Sequence, residues 1–310
     1  MNSKIPYFIV NPRSGAGRAE KLWPLLSKKI QKIWGKSNFV FTQKPGDAIR
    51  QARLACEKGQ RLIVAVGGDG TVHELVNGLL QAGASHISNL CLGIISMGSG
   101  DDFVRTLNLP KDPLQALSVI QKKKTKKIDV IQVDFLNHKR KKESRYCINL
   151  ADFGLGGRVM QKVNVSSKFL GSQITYLFHA ISTFFTFCPF SVVLETTEKN
   201  YHFHKMIIGL VANGKYFGSG MCVAPEAKLD DGMMDLIMVE KMGIGDFFKM
   251  IPPLYKGEKI INESILRLKT RKFYVQPTSA KLVYIELDGE QPGILPASFE
   301  LIPKALNVCV

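Results

Sequence analysis

The chain has 310 residues, of which 45% are apolar and 22% charged; this points to two globular domains with packed cores and excludes a disordered or fibrous protein. A net charge of +16 makes nucleic acid and anionic membrane the natural partners. Six cysteines (Cys56, Cys91, Cys147, Cys188, Cys222, Cys309) without CxxC spacing exclude a zinc framework and read as buried thiols of a reducing compartment.

In chain order, residues 5–10 form a short apolar run that stops at a turn-rich loop, Asn11 to Gly17. Leu22, Leu25, Leu26, Ile30 and Ile33 then recur at helical spacing over 19–34. Strand 38–42, helix 46–58, strand 61–66, helix 72–80 and strand 90–95 follow. Strands alternating with helices imply a mostly parallel sheet covered on both faces. Near residue 128 the pattern changes. Short runs dominate at 128–135, 145–150, 192–196, 205–211, 234–239, 273–276 and 280–287, interrupted by helices near 169–187 and 243–256. This is an all-β domain. The opening MNSKIPYFIV is too short for a signal peptide, so cytoplasmic synthesis is expected. The stretch Phe169–Leu194 lacks Lys, Arg, Asp and Glu, but Gly171, Ser172, Gln173, His179 and Pro189 dilute it, so a membrane span is rejected.

Three glycine-rich loops each follow a strand of the first domain: 11–17 (NPRSGAG), 67–74 (GGDGTVHE) and 97–105 (MGSGDDFVR). In an open α/β sheet, ligands bind beyond the carboxyl ends of the strands. Glycine lets backbone N–H groups approach a phosphate, and a helix N-terminus adds positive field. A nucleotide site follows. It is not a Walker P-loop: the nearest match, Gly209 to Lys215, continues with Tyr216 where a magnesium-holding Ser or Thr belongs. Asp69 either holds its own turn or serves a phosphate or magnesium site. His73 reads as helix surface, and His202 and His204 as surface residues without a third ligand. The basic runs Lys122–Lys127 and Lys139–Arg145 lack any nucleic-acid-binding motif, which makes membrane the stronger partner and excludes nucleic acid.

The three loops, in this order and spacing, resemble the diacylglycerol kinase catalytic domain and its bacterial lipid-kinase relatives within the sphingosine kinase superfamily. The resemblance extends through Ile128-Asp129-Val130, Asn149–Gly156, Asn213–Gly218, Ala224–Asp235 and Asp288-Gly289-Glu290, nearly the whole chain. It implies a doubly wound nucleotide-binding α/β domain over 1–128, followed by a β-sandwich-like lipid-substrate and metal domain over 129–295. Residues 296–310 would return to the first domain, and the active site would lie in the cleft between the two. ATP would be held by Asn11, Pro12, Arg13, Ser14, Gly15, Thr42, Gly67, Gly68, Asp69, Gly70, Thr71, Glu74, Gly98, Ser99 and Gly100. A structural magnesium would rest on Lys228, Asp231 and Met233. Asp288, Glu290 and Asp69 would be catalytic, and the reaction would pass the γ-phosphate of ATP to a lipid hydroxyl, with diacylglycerol favoured. A sphingoid base, ceramide or phosphatidylglycerol as acceptor stays open, as does a non-catalytic module binding nucleotide and membrane. Peripheral, reversible attachment to the inner membrane face is expected, and a homodimer is left open. One departure stands out: Asp101 occupies the position of the family's Asn in Gly-Thr-Gly-Asn-Asp. Asp288 and Glu290 project to one face if their segment is extended; the alternative is a hairpin turn, for which Asp-Gly is ordinary.

Overall fold

A computed structural model describes residues 5–83, 89–159 and 172–310, apart from the side chains of 172–177 and 180. It forms two compact units, Met1–Ile128 with Lys304–Val310, and Asp129–Pro303.

The first unit alternates β1 (Tyr7–Val10), α1 (Ser14–Trp34), β2 (Asn38–Phe41), α2 (Asp47–Glu57), β3 (Leu62–Gly67), α3 (Asp69–Gln81), β4 (Cys91–Ser96), α4 (Asp102–Thr106) and α5 (Pro113–Lys122). The strands are parallel in the order β2-β1-β3-β4, and the end of the chain adds beside β4 with Asn307 opposite Cys91. Every residue of β3 is buried, as expected of a parallel strand covered on both faces. Trp23, Leu26 and Ile30 of α1 pack on Phe8, Val10, Val64 and Val66. Leu25, counted in the expected stripe, is instead 58% exposed. The Cys91 and Cys309 thiols, far apart in sequence, sit 3.0 Å from each other, and Cys188 is exposed rather than buried.

The second unit contains β5 (Thr125–Asn137), β6 (Lys142–Cys147), β7 (Leu150–Gly154), α6 (Ser172–Thr186), β8 (Phe190–Thr196), β9 (Asn200–Ala212), β10 (Tyr216–Phe217), β11 (Met221–Cys222), β12 (Met234–Glu240), α7 (Ile244–Lys256), β13 (Ile265–Thr270), β14 (Lys272–Pro277), β15 (Tyr284–Leu287) and β16 (Glu290–Cys309). β5 begins in the first unit and β16 ends there. The pairings β9–β7–β15–β16–β14–β8–β9 return to their start, so this sheet closes on itself. Its interior is filled by Phe153, Phe190, Leu194, Phe273, Ile285 and Phe299. The strand expected at 145–150 is two strands, because Ile148 and Asn149 turn their amides to the Asp288 carboxylate. The helix expected at 169–187 is α6, with 169–171 outside the described residues. Among the described residues no helix is long and apolar enough to cross a membrane.

Candidate active site

In the first unit the three glycine loops meet at the carboxyl ends of β1, β3 and β4. Asn11 Nδ2 donates to Thr71 Oγ1 at 3.1 Å, and the Gly68 amide donates to Ser14 Oγ at 3.1 Å. Pro12 and Arg13 turn the chain into α1, and the Arg13 amide donates to Asn11 Oδ1. A Cβ on Gly15 would overlap the Met97 carbonyl, and one on Gly67 the Thr71 side chain. A Cβ on Gly98 would lie 2.8 Å from Gly68 Cα. The contacts at Gly15 and Gly98 bring backbone against backbone, which only glycine allows. Gly70 and Ser99 are exposed on these loops and Gly100 is half-buried. Thr42 follows β2, its amide bonded to the Val10 carbonyl. Glu74 turns elsewhere: its carboxylate accepts from the amides of Gly46 and Ala48, at the start of α2.

Asp69 opens α3 and accepts long hydrogen bonds, 3.4 Å each, from the amides of Asp102 and Phe103. Desolvation, then the charges of Asp102 and Asp101, push its carboxyl up to about 7. Asp101 is left-handed, φ 57°, and accepts a short hydrogen bond from Ser96 Oγ. Asn and Asp share tolerance of that conformation, so the fold accommodates the exchange. His73 is not helix surface but 1% exposed and next to Asn77, because α3 packs closely on α2.

In the second unit, Asp288 and Gly289 form the tight turn between β15 and β16, with φ of 49° and 92° and Leu287 opposite Glu290. The segment is therefore not extended, and the two acids go to different places. The Asp288 carboxylate accepts from the amides of Ile148, Asn149 and Leu150 at 2.9, 2.9 and 3.1 Å, and from Cys147 Sγ. Glu290 remains about one-third exposed and pairs with Arg145 at 3.2 Å; Arg145 is held in turn by Glu143 at 2.8 Å. Beneath the turn, Glu286 and Asp152 face each other across β15 and β7, and both are buried. Desolvation and then Asp152's charge raise Glu286 well above the usual carboxyl range, while desolvation takes Asp152 up to about 6. Glu286 thus holds its proton more tightly than an ordinary carboxyl, and its Oε1 accepts from the Gly289 amide at 2.7 Å. Sequence reading missed Arg145 and this pair. The signal was faint: Glu286 stands two residues before Asp288, at strand spacing.

Around the expected metal segment, Asp129 Oδ2 accepts from the Gly232 amide at 2.8 Å. Asp231 accepts from the Met233 amide and pairs with Lys269 at 3.2 Å, which also reaches Asp235 at 3.3 Å. Lys228 is exposed and Met233 half-buried. Among the described residues no three His, Cys, Asp or Glu side chains form a metal-binding group. A cation here would rest on one carboxylate and backbone carbonyls. That all-oxygen set suits magnesium, with Lys269 as its competitor.

The diacylglycerol kinase catalytic domain model matches residues 6–133, and that of the YegS C-terminal NAD kinase beta sandwich-like domain matches residues 149–310. The chain belongs to the diacylglycerol kinase catalytic-domain family. This kinase is 30% identical over 304 residues to a diacylglycerol kinase of Staphylococcus carnosus, covering 97% of this chain and 93% of that one. It is 28% identical to a diacylglycerol kinase of Bacillus subtilis, covering 97% and 94%. A crystal structure of a diacylglycerol kinase-type protein from Bacillus anthracis matches with a TM-score of 0.77 at 26% identity, covering 98% of this chain and 96% of that one. The kinase is a phosphotransferase with an alcohol acceptor, of the lipid-kinase type. Its architecture is the family's: a catalytic α/β domain, then a β-rich one.

Proposed function

We propose that this kinase transfers the γ-phosphate of ATP to the free hydroxyl of diacylglycerol, giving phosphatidic acid. The observation that carries the reading is the meeting of three glycine loops, backbone on backbone, at the carboxyl ends of β1, β3 and β4. Such loops present amides and the start of α3 to phosphates, and phosphoryl transfer needs positioning and charge neutralisation above all. Glu290 takes the acceptor's proton as its oxygen attacks, and Arg145 holds that carboxylate in place. Asp288 is excluded from that role in this proposal, because its oxygens are engaged by three amides that fix the turn. Asp69 opens the phosphate-facing helix, and a carboxyl raised to about 7 favours a cationic neighbour there. Magnesium, when bound, neutralises charge on the phosphates. A second, structural ion would rest on Asp231 and the carbonyls of Lys228 and Met233 after Lys269 releases Asp231.

The largely exposed basic runs at 122–127 and 139–142 support reversible attachment to an anionic membrane. The test is to incubate the protein with ATP, magnesium and a panel of diacylglycerol, ceramide, sphingoid base and phosphatidylglycerol, and to identify the product by mass spectrometry. Phosphatidic acid is expected. Phosphorylation of another member of the panel alone would replace the acceptor, and no lipid product would overturn the reading.

A further inference from the structure

Helix α7 is strongly apolar, yet none of its residues is buried. Its apolar side chains fall into two stripes. Phe247 and Leu254 face inward: Phe247 stacks on Phe184 of α6 at 4.0 Å, and Leu254 packs on the cluster of Leu150, Ile207 and Leu210. Ile244, Phe248, Ile251 and Tyr255 recur at i, i+4, i+7 and i+11, a second stripe on another face. On that stripe Ile244 is 51% exposed, Phe248 43% and Tyr255 36%, with Ile251 half-buried between them. On α6, Phe178 and Phe185 are 66% and 56% exposed. Phe185 adjoins Phe184, and Phe248 adjoins Phe247, so both flank one aromatic stack. Lys249 and Lys256 stand well into solvent, with only distant acidic partners at 3.9 and 4.0 Å.

We infer that this face of α7, with Phe185, seats the enzyme on an anionic phospholipid bilayer, its apolar side chains entering the boundary between headgroups and acyl chains. A helix held by one stripe, with aromatics outward and lysines alongside, is built for such an interface. Charge favours the bilayer over a second copy of the chain: two such faces would oppose their lysines, and each copy carries +16. The inference rests on the lipid-kinase reading only in choosing lipid as the occupant.

The experiment scores sedimentation with mixed phosphatidylglycerol–phosphatidylcholine vesicles, without nucleotide or diacylglycerol, so turnover does not enter. Phe248→Asp should lower vesicle affinity by about tenfold or more, with an unchanged melting temperature. Its activity on a short-chain, water-soluble diacylglycerol should also be unchanged. Phe248→Trp should still bind, and brominated acyl chains should quench its fluorescence beyond the loss seen in the wild type. Equal binding by wild type and Phe248→Asp would overturn the inference, as would an unquenched Trp on bound protein or wild type that ignores the vesicles. So would a wild-type dimer that Phe248→Asp dissociates without changing vesicle binding.

Discussion

At the scale of single residues, the Asp288-Gly289-Glu290 segment divides its work. Asp288 is a structural carboxylate: it satisfies three amides that the break between β6 and β7 leaves without strand partners. Asp288→Asn should therefore cost about 2 kcal/mol of stability, read as a lower denaturation midpoint. An unchanged midpoint would contradict that role. The Asp152–Glu286 pair gives the turn a pH dependence whose sign can be worked out. Both carboxyls ionise near pH 4 in an unfolded chain, at about 3.9 and 4.3, but bind protons more tightly when folded. The folded state thus holds more protons between those values and the folded ones. The pair's contribution is complete below about pH 4 and is lost as pH rises through about 6 and above. Wild type should melt lower at about pH 8 than at about pH 6, and Glu286→Gln, which keeps a donor without a charge, should flatten that slope. Parallel slopes would count against the raised affinity of this pair for protons.

At the scale of elements, the proposed chemistry belongs to the loops rather than the helices. Gly98→Ala would place a methyl 2.8 Å from Gly68 Cα and force two loops apart. ATP affinity should fall at least about tenfold in a protein that still folds; unchanged affinity would remove the loop contact from the site. Asp231→Ala should abolish any rise in melting temperature that magnesium gives the wild type, while melting like it in chelator; an equal rise in both would move the ion elsewhere. Apolar periodicity made the first unit readable, since β1, β3 and β4 are apolar runs that lead into glycine-rich loops. It failed at β16, where Pro292, Pro296 and Pro303 read as breakers yet lie in one long strand. It also failed at the turn: Asp288 and Glu290 look alike in sequence, and only the positive φ at Asp288 and Gly289 separates their directions. Arg145 and Asp152 were illegible because their partners lie more than a hundred residues away.

At the scale of the whole molecule, the charge of +16 underlies the proposed attachment to an anionic membrane, which salt should then reverse. Vesicle binding should weaken steeply as ionic strength rises and be slight on neutral lipid; salt-independent binding would mean that charge does not drive it. The three glycine loops lie in one unit and the acid–arginine pair Glu290–Arg145 in the other. The central claim is that Glu290 is the base of a lipid kinase. Its direct test is transfer of labelled phosphate from ATP to diacylglycerol by wild type and Glu290→Gln, each checked for ATP binding and melting temperature. The account predicts labelled phosphatidic acid from wild type and turnover about 10²–10⁴-fold lower in the variant, with binding and melting intact. Near-normal turnover in Glu290→Gln would contradict it.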